Sequence, residues 1–120
     1  MHEYLGLVNR VIDGDTIEVS VDLGFRITQA MPLRLYGINA PECNSKDQLE
    51  RKNGKAAKDW LRDAVGGKQI RINSVKPHDK YGRFLAVISL IPSVNNRTIN
   101  EEMVALGLAK AWDGQGEKPV

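Results

Sequence analysis

The 120-residue chain holds a single cysteine, Cys43, so no disulfide can form within it. That scarcity points mildly to a reducing compartment. Aromatic residues are only 6 % of the chain, too few for a stacking platform spread across a whole sheet. No apolar run approaches the roughly 20 residues that span a membrane as a helix. The opening "MHEYLGLVNR" lacks the basic start and apolar stretch of a secretory leader, although a chain whose leader had been removed reads the same. Localisation is therefore open between the cytoplasm and secretion after processing. Neither charge dominates: 17 Lys and Arg against 15 Asp and Glu leave +2, which permits an acidic partner without naming one. Internal repeats and low-complexity tracts are absent.

What remains is an ordinary globular composition, with 42 % hydrophobic and 27 % charged residues. The length suits one domain over residues 1–120 with a modest core, expected between about residues 4 and 112. The polar tail, residues 113–120, is expected to fray.

The first half reads as strands. Leu5, Leu7 and Val11 loosely alternate, and Ile17, Val19, Val21 and Leu23 alternate cleanly with Glu18, Ser20 and Asp22. In "PLRLYGI" Leu33 and Leu35 point one way, and Arg34 and Tyr36 the other. Pro41 stops this strand, and the polar run 44–51 reads as a loop. A helix fits Gly54 to Val65, capped by Asn53 and closed by Gly66-Gly67. Strands follow over Gln69 to Val75 and Arg83 to Ile91. A short helix is expected from Asn100, closed at Gly107 with Leu108 folding back. Short, mostly antiparallel strands interrupted by a helix predict an α+β fold, a small barrel or curled sheet of five strands.

Three stretches can carry chemistry. "VIDGDTIEV" places Asp13 and Asp15 around Gly14. An Asp-Gly turn explains the first carboxylate, and a hard cation that selects oxygen ligands would use the second. "RLYGINAPEC" places Arg34 at the edge of the apolar alternation and Glu42 on a segment stiffened by Pro41. These are ordinary rim charges or a phosphate clamp and a water-holding carboxylate. "HDKYGRF" is a basic connection bearing Lys80, Tyr81 and Arg83, where a guanidinium offers a rigid fork of donors for phosphate. His78 reads as a loop residue.

"VIDGDT", "RLYGINAPE", "DKYGRFLA" and "NEEMVALGLAKA" stand in this order over about Val8 to Trp112. Together they closely resemble the staphylococcal nuclease (thermonuclease) family. The resemblance implies a five-stranded OB-type barrel with about two packed helices. It implies a monomeric Ca²⁺-dependent nuclease with DNA and RNA as substrates, leaving 5′-hydroxyl and 3′-phosphate ends, and no membrane partner. By resemblance Asp15, Asn39 and the carbonyl of Ala40 hold the metal. Arg34, Glu42 and Arg83 are catalytic, and Lys80 and Tyr81 bind substrate. Asn39 departs from the family pattern, which has a second aspartate there. Trp112 is either a stacking residue or an apolar plug. Some family members keep the barrel and lose catalysis, so a nucleic-acid or protein binding module is the alternative.

Overall fold

The structure is a computed structural model that describes residues 2–76, 84–92 and 96–112. The elements run β1 (His2–Asp13), β2 (Thr16–Asp22), β3 (Thr28–Leu35), β4 (Ile38–Asn39), α1 (Gln48–Val65), β5 (Gln69–Lys76), β6 (Phe84–Leu90), α2 (Ile99–Ala105) and β7 (Lys110–Ala111). Five of these strands close a barrel in the order β1-β2-β3-β6-β5, with β5 returning to β1. Every pairing is antiparallel except β3 with β6, which is parallel over Leu33–Leu35. The expected five-stranded OB-type barrel with two helices is the observed one. The short pair β4 and β7 lies outside it.

The β2 alternation holds: Ile17, Val19 and Val21 are buried. In β1 it does not. Leu5 and Leu7 face outward, nearly half exposed, while Gly6 and Val8 face the barrel. A side-chain carbon on Gly6 would lie 2.7 Å from Cδ1 of Ile72, so the inward place has no room for a leucine. The register then shifts between Val8 and Arg10, which brings Val11 inward as well. Leu23 is also exposed, because the β2–β3 hairpin runs beyond the barrel wall.

Helix α1 starts six residues before the Gly54 start expected from the sequence. Asp47, not Asn53, caps it by accepting the Glu50 N–H at 3.3 Å. The added turns bury no side chain, so no apolar period announces them. Farther along, Ala57, Leu61 and Val65 seat the helix on the core. Helix α2 is capped by Thr98 rather than Asn100. Thr98 and Glu101 form a reciprocal capping box that draws the Glu101 carboxyl below its ordinary range through hydrogen bonds from Thr98. Asn100 is buried inside the helix. It accepts the Ile88 N–H and donates to the carbonyls of Tyr36 and Ala86 at 2.8 and 3.2 Å. Gly107, at φ 75°, ends α2, and Leu108 N–H folds back onto the Met103 carbonyl at 2.9 Å.

Candidate active site

The site begins where the β1–β2 turn meets the end of β3. Asp13 Oδ1 accepts the Gly14 N–H at 2.9 Å and shapes the turn. Gly14 has no spare volume: a side-chain carbon there would sit 2.9 Å from Cβ of both Ala40 and Ala57. The turn therefore packs directly between the segment after β4 and helix α1.

The β2–β3 register sets Thr16 opposite Arg34, and the Leu35 N–H bonds the Asp15 carbonyl at 2.8 Å. Asp15 and Arg34 are thereby neighbours, and both are buried, at 7 % exposure each. Arg34 Nη1 lies 3.2 Å from Asp15 Oδ2 and donates to the Leu35 carbonyl at 3.1 Å. Arg34 Nη2 donates to Asn39 Oδ1 at 3.4 Å. The Ala40 N–H donates to Asp15 Oδ2 at 2.9 Å, and the Thr16 hydroxyl to Oδ1 at 3.2 Å. Arg34 is thus no rim charge. It is a desolvated guanidinium whose two terminal nitrogens reach Asp15, the Leu35 carbonyl and Asn39.

Glu42 lies two residues past Ala40, within about 7 Å of it along the chain. It is exposed, and it lines a cleft of about 680 Å³ between Asn39–Pro41, the first turns of α1 and the turn after α2. Its neighbour Cys43 is half-buried and donates its thiol to Asp13 Oδ1 at 2.9 Å. Burial first, then the Asp13 hydrogen bond and charge, push the Cys43 thiol up to about 11. Trp112 is half-buried, and its N–H bonds the Gly37 carbonyl at 2.8 Å.

Of the residues expected from the sequence, Asp15, Arg34, Asn39 and Ala40 converge, and Glu42 follows them on the same segment. Lys80, Tyr81, Arg83 and His78 lie outside the described residues, as does the tail 113–120. The Cys43–Asp13 contact was not foreseen. The only hint in the sequence is the position of a lone cysteine directly after Glu42.

The donors suit a hard cation in kind, since Asp15, Asn39 and the main chain offer only oxygen. They are thin in charge: among the described residues no three His, Cys, Asp or Glu side chains gather as a metal-holding group. The Arg34 guanidinium already satisfies Asp15 and Asn39. A bound cation would share or replace those contacts, with water or substrate oxygens completing its shell.

A family model described as "Staphylococcal nuclease homologue" matches residues 32–119. The chain belongs to the staphylococcal nuclease family. It is 34 % identical over 106 residues to a thermonuclease of Staphylococcus intermedius, covering 88 % of this chain and 58 % of that protein. It is 31 % identical over 115 residues to an uncharacterized endonuclease of Escherichia coli O157:H7, covering 96 % of this chain and 65 % of that protein. It is also 31 % identical over 117 residues to endonuclease YhcR of Bacillus subtilis, where 92 % of this chain matches 9 % of the other. The chain thus spans about six-tenths of the first two relatives. Within the family frame, the two aspartates of the β1–β2 turn separate in role: Asp15 faces Arg34, and Asp13 faces Gly14 and Cys43.

Proposed function

We propose that this domain is a Ca²⁺-dependent nuclease that hydrolyses phosphodiester bonds of DNA and RNA, leaving 5′-hydroxyl and 3′-phosphate ends. The observation that carries the reading is the buried Arg34 fork converging with Asp15, Asn39 and Ala40, two residues before an exposed carboxylate beside an open cleft. The family relatives named thermonuclease and endonuclease support it.

The chemistry follows from charge. A phosphodiester is already an anion, and its transition state gathers more charge on the phosphoryl oxygens. Arg34 supplies fixed positive charge that costs no reorganisation at the moment of reaction. Arg83 is assigned the second guanidinium, and Lys80 and Tyr81 the hold on a neighbouring phosphate, by their match to the family motif. Glu42 orients a water molecule and accepts its proton as the water oxygen bonds to phosphorus. The bond from phosphorus to the 5′ oxygen breaks, and that oxygen leaves with a proton from solvent while Arg83 is assigned the stabilisation of its developing charge. Asp15, Asn39 and the Ala40 carbonyl would hold Ca²⁺, which supplies Lewis-acid neutralisation of a phosphoryl oxygen. The protein acts as a monomer.

The test is cleavage of single-stranded DNA and RNA in Ca²⁺, Mg²⁺ and EDTA, with the ends of the products typed. Glu42→Gln is expected to lose about 10²- to 10⁴-fold in turnover, and Arg34→Ala about 10²- to 10³-fold. Full activity in EDTA, or a fully active Glu42→Gln enzyme, overturns the reading. Strand binding without scission under every metal condition would instead make the domain a binding module.

A further inference from the structure

Glu42 is exposed, and among the described residues no side-chain donor holds its carboxylate. Among the described residues, the groups that set its direction act on its own main chain. That main chain is gripped from two sides. On one side, the Cys43 thiol donates to Asp13 Oδ1 at 2.9 Å, and the same oxygen accepts the Gly14 N–H at 2.9 Å. The residue after Glu42 is thus tied to the turn that carries Asp15. On the other side stands Gly54 of α1. A side-chain carbon there would lie 2.7 Å from the Glu42 carbonyl carbon, 2.7 Å from the Pro41 carbonyl oxygen and 2.8 Å from the Cys43 nitrogen. All three are main-chain atoms, which cannot swing aside as a side chain can. The loop is further tied to the helix where Arg51 Nη1 donates to the Ser45 carbonyl at 3.1 Å.

We propose that Cys43 is a positioning residue for Glu42, its thiol tethered to Asp13 so that the Pro41–Cys43 main chain is pressed against Gly54 and the carboxylate is aimed at the cluster around Arg34. The proposal rests on the reading of Glu42 as the water-holding group. The thiol suits the task because it stays a protonated donor through neutral pH, its dissociation pushed up to about 11. A cysteine kept for reactivity would be expected to have the opposite shift.

A tether of this kind acts on the geometry of the attacking water rather than on substrate affinity, and a misplacement of about 1 Å can cost as much as 10²-fold. In steady-state cleavage of a labelled oligonucleotide, Cys43→Ala and Asp13→Ala are each expected to lower kcat roughly 10- to 100-fold with KM little changed. Cys43→Ser keeps a donor at the same place and should restore most of kcat. The double variant Cys43→Ala with Asp13→Ala should be no slower than Asp13→Ala alone, because that substitution already removes the acceptor of the thiol. Gly54→Ala, which pushes on the same peptide from the helix side, should lower kcat by itself while thermal melting shows a folded protein.

Equal losses in Cys43→Ser and Cys43→Ala, additive losses in the double variant, or a change confined to KM would overturn the proposal. If Cys43→Ala does not fold, the serine variant and Gly54→Ala decide it alone: an inactive folded serine variant or a fully active Gly54→Ala refutes the tether. The Glu42→Gln background separates this idea from its premise. There Cys43→Ala should cost nothing further. A fully active Glu42→Gln enzyme refutes the role of Glu42 itself, whatever the cysteine does.

Discussion

Arg34 and Asp15 form a pair whose side chains are 9 and 10 % exposed, at 3.2 Å. Two charges removed from water are held only if they satisfy each other and their neighbours, and here the Leu35 carbonyl, Asn39, Thr16 and the Ala40 N–H complete the set. The cluster is balanced without any further ion. Asn39 contributes an amide oxygen where the family pattern has a carboxylate, so the divalent cation of the proposed function would meet one negative group less. Asn39→Asp is therefore expected to tighten Ca²⁺ binding about tenfold or more, because anionic oxygens dominate the affinity of such sites. Calorimetric titration of the DNA-free protein reads this directly, and an unchanged constant would remove Asn39 from the ligand set. The sequence showed Arg34 leaving the apolar alternation of β3. It did not show that the guanidinium turns back into a buried cluster, because that depends on Asp15 arriving from another strand.

At the scale of the element, the β2–β3 hairpin carries visible backbone strain. Its turn runs from Gly24 to Ile27, closed by the Ile27 N–H on the Gly24 carbonyl at 2.9 Å. The central residues Phe25 and Arg26 have φ of 55° and 62°. Both lie in the left-handed region that a mirror-image turn requires and that Asn-Gly fills most cheaply. Phe25 is 96 % exposed, so little packing offsets the strain. Replacing Phe25-Arg26 by Asn-Gly is expected to stabilise the domain by about 1–2 kcal/mol, read as a higher urea midpoint at unchanged slope. A lower midpoint would mean that the two side chains hold the hairpin in ways their exposure does not suggest. The sequence names no turn here, since Phe-Arg carries no turn signature. The helix ends teach the same lesson. Gly107 marked the end of α2 because a glycine after an apolar period has one common use, and Leu108 folds back as expected. The start of α1 was missed because Leu49 is exposed and no residue of the first turns is buried.

On the scale of the whole molecule, the barrel closes only because β3 meets β6 in parallel over three residue pairs. That contact joins Leu33–Leu35 to Phe84–Ala86, distant in sequence, and Asn100 of α2 seals it through the Ile88, Tyr36 and Ala86 main chain. Helix α1 packs against β1 and the core, with Ala57, Leu61 and Val65 wholly buried. Leu61→Ala is expected to cost about 2–5 kcal/mol through lost burial and the cavity left behind. Denaturant unfolding measures it, and a loss below about 1 kcal/mol would mean that α1 is held on the barrel by other contacts.

By itself the sequence determined the α+β class and the order of the main strands and both helices, and through its motif order the family whose resemblance implies the five-stranded barrel and names the candidate site residues. Periodicity, turn chemistry and motif order are local properties, and each survives reading one residue after another. Only the tertiary structure decided that Leu5 and Leu7 face outward, that Arg34 is buried against Asp15, and that Cys43 and Gly54 grip the peptide of Glu42. Those facts depend on a bulge, a strand register and a helix docking that bring residues from four elements within contact distance. Such distances are set by what every other part of the chain has already filled.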